Sequence, residues 1–283
     1  MMKNQIQTVI LKGDFYKHLL EDYKSKITKR IKTEDYKIVI FYFGMKNNNY
    51  FSINQKKIFE KVGFNVDLIH TLDEGEFINL LKKASNDEKV LGINVELPLP
   101  FNFSKKILEL INPKKDLDCL NPINYYYFLI SKKEDLESVA IPSVANAVYL
   151  MLSFYEIDFQ KKDVVILGNS LYTGLAIAHL LIKFDSTVQI INQHTYDIPE
   201  KCRKADIIIS VTGKVNLVDS SFVKEGAVVI DVGFEVVNGK IMGDVNKESL
   251  IGIAKAVSAV PGGVGLLCNL STVINLYKLL NQR

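Results

Sequence analysis

Short apolar runs alternate with amphipathic segments along most of the chain, and this alternation constrains the fold more than any other feature. Strand-like runs at KIVIFYFG, NVDLIHT and KVLGINVELPLP enclose two helix-like segments, NQKKIFEKVGF and EGEFINLLKKASND. In the first of these helices Ile58, Phe59 and Val62 share one face, and Gly63 ends it. An order of strand, helix, strand, helix and strand is typical of a parallel sheet covered by helices. The sequence therefore predicts an α/β fold.

A second alternating series follows a polar stretch near ISKKEDLES. Its segments are DVVILGNS, TGLAIAHLLIKF, STVQIIN, ADIIISVTG and AVVIDVGF. This order predicts a doubly wound, Rossmann-like domain. We therefore place a boundary near Ile141, with a first domain over residues 1–140 and a nucleotide-binding domain over 141–263. The remaining residues, 264–283, have the pattern of an amphipathic helix.

Composition and charge exclude several functional classes. The 283 residues are 48% hydrophobic and 24% charged, and no apolar run reaches the roughly eighteen residues that a membrane span needs. The start of the chain lacks a signal-like apolar region, so we expect a cytoplasmic protein. A net charge of +3 without a basic face argues against nucleic-acid binding. The three cysteines are far apart without a CxxC pair, so we expect neither a disulfide framework nor a metal site.

The segment VVILGNSLYTGLAIAHLL has the pattern of a strand, a glycine turn and a helix. Gly168 would make the tight turn and Gly174 would let the helix pack closely, as in dinucleotide-binding loops. The spacing, with Asn169, Ser170 and Thr173 inside the loop, is G-x-S-x-x-x-G, and by itself it also fits a plain turn.

Two further strand ends support a nucleotide site. Thr212 and Gly213 end one strand and Gly233 follows another, at the edge of the sheet where ligands bind in such folds. No titratable nucleophile or metal cluster accompanies these loops, which fits a cofactor that carries the chemistry.

These loops, together with VELPLP, KKDLDCLNPIN and PGGVG in the same order, resemble the methylenetetrahydrofolate dehydrogenase/methenyltetrahydrofolate cyclohydrolase family over nearly the whole chain. The resemblance implies hydride transfer from methylenetetrahydrofolate to NADP or NAD, followed by hydrolysis of the methenyl cation to 10-formyltetrahydrofolate. It also implies a homodimer, a folate cleft between the domains, and a final helix that returns to the first domain.

The resemblance assigns roles to individual residues. Asp118 would hydrogen-bond the pterin amino group, and Phe234 would join Gly168, Asn169 and Ser170 at the cofactor. The residues expected to shape the folate pocket are Phe51, Pro98, Leu99, Pro100, Pro261, Gly262 and Gly263.

The chain departs from the family at the motif Tyr-x-x-x-Lys, whose lysine is the proton shuttle. Counting back from Val62 places Phe51 and Gln55 at these positions, whereas counting forward from Gly44 gives Ser52 and Lys56. We prefer the first count because insertions fall in loops. Glutamine cannot titrate, so the sequence favours the dehydrogenase reaction over the hydrolysis.

A second departure offers a replacement for the lysine. The family's glutamine in V-Q-L-P is Glu96 here, and we hypothesise that this carboxylate, with a pKa raised by partial burial, acts as the base. A purely structural carboxylate is the alternative.

Other features leave the function and the cofactor open. Asn169 replaces an arginine that suits NADP, yet Gln193 follows the next strand where NAD enzymes carry an acid. A catalytically silent member that binds a nucleotide or folate, and a Rossmann dehydrogenase with another substrate, are the alternative functions.

Overall fold

The computed structural model describes residues 6–43, 50–100 and 103–282. Gly44, from which the second count of the helix motif starts, lies outside these residues. The strands are β1 (Val9–Leu11), β2 (Lys37–Tyr42), β3 (Asn65–His70), β4 (Val90–Val95), β5 (Asp163–Leu167), β6 (Thr187–Ile191), β7 (Ile207–Ser210), β8 (Val228–Asp231), β9 (Phe234–Val237), β10 (Lys240–Gly243) and β11 (Ala256–Ser258). The α-helices are α1 (Tyr16–Thr28), α2 (Tyr50–Val62), α3 (Glu74–Asn86), α4 (Pro122–Ile130), α5 (Ser143–Phe154), α6 (Ala176–Ile182), α7 (Ile198–Cys202), α8 (Lys247–Leu250) and α9 (Val264–Asn281).

The first compact unit contains a three-stranded parallel sheet and spans Tyr16–Ser143 and the chain end from Asn269. Strand β2 lies between β3 and β4 and pairs with both in parallel. Every residue of β4 is buried, as is typical of a parallel sheet whose faces are covered by helices, although β4 is an outer strand of the three. The predicted apolar face of α2 is confirmed, because Ile58, Phe59 and Val62 are buried. Gly63 follows the helix with a φ of +111°, a conformation that favours glycine.

Helix α9 is anchored in this unit by polar side chains. Asn275 accepts a hydrogen bond from the Ile141 amide and donates to the carbonyl oxygens of Ile141 and Leu117. Lys278 is buried, and its Nζ donates to the Leu136 carbonyl oxygen at 2.7 Å. The predicted return of the C-terminal helix to the first domain is thereby confirmed.

The second compact unit contains a six-stranded parallel sheet in the order β1-β11-β8-β7-β5-β6. A separate antiparallel hairpin joins β9 and β10. The alternation of strands and helices in the sequence predicts this α/β architecture, and the structure confirms it.

The unit boundaries differ from the predicted ones at the start of the chain. Strand β1 pairs with β11, with Val9 opposite Ala256, so the described residues before Tyr16 belong to the second unit and not to the first. The change of unit falls between Ser143 and Val144, and α9 contributes to the first unit from Asn269. A three-residue strand carries too little pattern to reveal which sheet it joins, because its partner lies some 250 residues away.

None of the helices among the described residues has both the length and the apolar character needed to cross a membrane.

Candidate active site

The turn after β5 requires glycine at two positions. Gly168 has a φ of +116°, and its amide donates to the Ile191 carbonyl oxygen at 2.8 Å. A Cβ atom on Gly174 would lie only 2.0 Å from the Gly168 carbonyl oxygen. The loop therefore closes tightly on itself while Asn169 and Ser170 stay exposed and Thr173 is half-buried. Such a turn offers backbone to a ligand at close range.

The ends of β7 and β8 meet a carboxylate that the sequence analysis did not single out. Thr212 donates to Asp244 Oδ2 twice, from its amide at 2.7 Å and from its hydroxyl at 2.8 Å. A Cβ atom on Gly233 would lie 2.2 Å from the same oxygen. Thr212 and Gly233, both predicted cofactor residues, therefore contact Asp244 within this unit. Of the other two, Gly213 has a φ of +66° and Phe234 is exposed.

Asp244 lies beside a second buried carboxyl group, Asp231. Asp231 accepts hydrogen bonds from the amides of Asp244 and Val245 at 3.0 and 3.1 Å. Burial raises the pKa of Asp231 to about 7, and the neighbouring Asp244 acts in the same direction. The signal that could have revealed this pair is the placement of both aspartates at the ends of apolar segments, IMGDV and VVID.

The PGGVG motif forms a tight turn whose first two glycines are needed by the backbone itself. The Val260–Pro261 bond is cis, and Gly262 has a φ of +97°. The Gly262 carbonyl oxygen accepts from the Gly13 amide, and a Cβ atom on Gly263 would lie 2.2 Å from the Ala259 carbonyl oxygen. This turn lies in the unit of the six-stranded sheet.

In the unit of the three-stranded sheet, Glu96 directly follows β4 and precedes the cis Leu97–Pro98 bond. Its amide donates to the Phe41 carbonyl oxygen at 2.9 Å, which fixes the backbone against β2. The fully buried Ser52 hydroxyl donates to Glu96 Oε2 at 2.5 Å. Burial raises the pKa of the Glu96 carboxyl group, and the bond from Ser52 offsets part of the rise. The raised pKa hypothesised from the sequence therefore has a physical basis here.

The helix residues considered for the lysine position face different surroundings. Gln55 is fully buried, and its Nε2 donates to Thr272 Oγ1 at 3.3 Å. Lys56 is half-exposed and pairs with Glu60 one turn along the helix at 3.6 Å. Since α2 turns its Ser52 and Gln55 side inward, Lys56 cannot occupy the position of either. Phe51 is half-buried.

Asp118 lies in the loop before α4. Its Oδ1 accepts from the Ser143 amide at 3.0 Å, and burial raises its pKa to about 6. The neighbouring Asp116 is fully buried and accepts from the amides of Leu120 and Asn121, so it shapes this loop. Pro98 is exposed and the rest of the LPLP segment is half-buried, in the same unit.

Comparison with known proteins identifies the family. Residues 13–118 match the model of the tetrahydrofolate dehydrogenase/cyclohydrolase catalytic domain, and residues 142–283 match the model of the NAD(P)-binding domain of the same enzymes. The chain belongs to the tetrahydrofolate dehydrogenase/cyclohydrolase family. The resemblance drawn from the sequence motifs is thereby confirmed.

Individual relatives cover most of this family member. It is 39% identical over 213 residues to the bifunctional protein FolD of Hydrogenobaculum sp., which covers 75% of this chain and 76% of that protein. It is 40% identical over 217 residues to the bifunctional protein FolD of Staphylococcus carnosus, with 75% and 74% covered.

Solved structures agree with this family fold over almost the whole chain. The bifunctional FolD enzyme from Campylobacter jejuni superposes with a TM-score of 0.87 and 31% identity, covering 98% of this chain and 100% of that chain. The Trypanosoma brucei dehydrogenase-cyclohydrolase, complexed with NADP and an inhibitor, gives a TM-score of 0.88 and 26% identity, with 98% of each chain covered.

Proposed function

We propose that this chain is an NAD(P)-dependent methylenetetrahydrofolate dehydrogenase. The observation that carries the proposal is the match of both halves of the chain to the catalytic and cofactor domains of one enzyme family. Relatives about 39% identical to it are named as bifunctional FolD proteins.

The loop after β5 fits a dinucleotide, because Gly168 and Gly174 let the backbone close to a distance that any Cβ atom would block. We propose that Gly168, Asn169, Ser170, Thr173 and Gly174 hold the cofactor, together with Thr212, Gly213, Gly233 and Phe234. The bound dinucleotide supplies the hydride acceptor. The strand end at Asn192 and Gln193 carries no carboxylate, so the choice between NAD and NADP stays open.

We assign the folate substrate to the three-stranded unit, which contains Glu96 and Asp118. Asp118 would accept a hydrogen bond from the pterin amino group through its half-buried carboxylate. The residues of this unit proposed to contact the folate are Phe51, Pro98, Leu99 and Pro100. A folate contact of Pro261, Gly262 and Gly263 stays a prediction from the sequence.

Hydrolysis of the methenyl cation needs a group that exchanges protons with water. Gln55 cannot do this because an amide does not titrate, and Lys56 pairs with Glu60 on the outer side of α2. Glu96 is half-buried with a raised pKa, so we propose it as the base of this second reaction.

The first experiment mixes the purified protein with methylenetetrahydrofolate and either NAD or NADP. Absorbance then follows the reduced nicotinamide and the methenyl product separately. We expect reduction of one dinucleotide, together with methenyl decay faster than in buffer and lost in Glu96→Gln. Reduction without accelerated decay would refute the hydrolytic role and leave a dehydrogenase alone.

A catalytically silent binding protein is the second candidate, favoured by the buried, non-titrating Gln55 at the lysine position. Saturable binding of a dinucleotide or folate without turnover would support it over the enzyme.

We also propose a homodimer. Strand β6 forms one edge of the six-stranded sheet, and Ile190 on β6 and Ile182 on α6 are exposed apolar side chains nearby in sequence. Light scattering should give twice the mass of one chain. The cytoplasmic location stays a prediction from the sequence.

A further inference from the structure

We propose that Ser52 is a positioning residue that holds the Glu96 carboxylate for proton transfer in methenyl hydrolysis. The inference rests on the hydrolytic role proposed for Glu96. One count of the Tyr-x-x-x-Lys motif places Ser52 at the tyrosine position, but neither that count nor the comparisons link Ser52 to Glu96.

The geometry shows why Ser52 is present in this helix. Serine is a weak helix former because its hydroxyl competes for backbone groups. Here the hydroxyl group on α2 instead donates to Glu96 Oε2 at the end of β4, at 2.5 Å. The two residues are 44 positions apart in the chain. Ser52 is fully buried, so water does not compete with Glu96 for the hydrogen bond of its single hydroxyl proton. The bond therefore fixes one carboxylate oxygen and leaves Oε1 for proton exchange.

The surroundings of Glu96 suit a carboxyl group that gains and loses a proton during the reaction. Among the described residues no lysine, arginine or histidine forms an ion pair with it. Within the described part of the chain, two influences act on its pKa: burial raises it, and the Ser52 hydrogen bond lowers it. No titratable side chain of α2, β4 or α9 contributes to that balance. The Ser52 hydroxyl thus opposes the effect of burial on the pKa and favours the ionised form of the half-buried Glu96 carboxyl group.

A single carboxylate at this position can carry out the proton transfers of methenyl hydrolysis. The Glu96 carboxylate takes a proton from water as the water oxygen bonds to the methenyl carbon of the cation. It then returns the proton to the nitrogen whose bond to that carbon breaks, and the hydroxyl proton of the intermediate leaves to solvent. The net result is a formyl product and one released proton.

The test compares Ser52→Ala with Ser52→Thr, which keeps the hydroxyl group, and with Ser85→Ala. Ser85 is a buried helix serine of the same unit whose hydroxyl bonds the Leu110 carbonyl oxygen and not Glu96. Two quantities are measured in each variant. One is the pKa of Glu96, from the carboxyl carbon signal in ¹³C NMR assigned with Glu96→Gln, and the other is the pH profile of methenyl hydrolysis.

We expect Ser52→Ala to move both the Glu96 pKa and the acid limb of the hydrolysis profile to higher pH. Hydrolysis on that limb should fall about tenfold, as for the loss of one hydrogen bond to a charged group. Ser52→Thr should restore both quantities, and Ser85→Ala should change neither of them nor the rate of dinucleotide reduction.

Two results would overturn the proposal in different ways. An unchanged Glu96 pKa in Ser52→Ala would show that the hydroxyl does not control the carboxylate, whatever reaction the protein catalyses. A shifted Glu96 pKa with an unmoved hydrolysis profile would show that the contact exists but that Glu96 is not the base, so the proposed hydrolytic role fails.

Discussion

Two glycines in the second unit each pack directly against the carboxyl group of a buried aspartate. A Cβ atom on Gly243 would lie 1.9 Å from Asp231 Oδ2, and one on Gly233 would lie 2.2 Å from Asp244 Oδ2. Each carboxylate fills the space that a side chain at the facing position would need. A glycine at a strand end is therefore not by itself a sign of a ligand, and Gly233 has a structural reason to be glycine.

Replacing Gly243 with alanine should destabilise the protein. The added methyl group has no room beside the Asp231 carboxylate, and overpacking of this kind costs about 1–3 kcal/mol. Chemical denaturation of Gly243→Ala measures the loss. Gly265→Ala is the control, because its Cβ atom meets nothing within 4 Å. Equal stability of the two variants would contradict the tight packing.

Asp118 should make folate binding depend on pH. Its pKa is about 6, and only the ionised form accepts two hydrogen bonds freely. We expect folate affinity to fall about tenfold per pH unit below that value, as for a single proton. Asp118→Asn should bind weakly at every pH and lose this dependence. Dinucleotide affinity in the same buffers is the control, and a flat folate profile in the unaltered protein would rule out the role.

At the scale of elements, α9 shows how a helix can be anchored by polar side chains. Asn275 satisfies three backbone groups of the first unit, at Ile141 and Leu117, over sequence separations above 130 residues. An amphipathic pattern in the sequence predicts the helix, but it does not reveal that the asparagine is buried.

Asn275→Ala should therefore destabilise the first unit strongly. Removing the amide leaves three buried backbone groups without partners, at about 1–3 kcal/mol for each. Gln282→Ala, near the end of the same helix, removes an exposed bond to the Ser138 carbonyl oxygen and should cost under about 1 kcal/mol. Similar melting temperatures for both variants would mean that Asn275 does not anchor the helix.

At the scale of the whole molecule, buried carboxyl groups should make the fold less stable as pH rises. The pKa of Asp231 is about 7 when folded, against an ordinary value of 3.8. Between these values the folded chain keeps a proton that the unfolded chain has released, so the free energy of unfolding falls with rising pH. The contribution of one group is at most about 1.4 kcal/mol per pH unit.

Urea unfolding between pH 5 and pH 7 tests this dependence. Asp231→Asn should flatten the slope, because the amide does not titrate. Asp206→Asn is the matched control, since the Lys224 partner lowers the pKa of Asp206 and its contribution is lost only at more acidic pH. A slope that survives in Asp231→Asn would assign the effect to other groups.

The sequence by itself determined the α/β class, the strand and helix series, the family and the glycine loop after β5. These follow from local patterns, because side-chain periodicity and short motifs are written in neighbouring residues. Only the tertiary structure decided that β1 joins the six-stranded sheet, that Gln55 is buried, and that Asp244 fills the space beside Gly233. It also brought Ser52 to Glu96. Most of these contacts join residues far apart in the chain, and which side chains meet there depends on packing that no local pattern encodes.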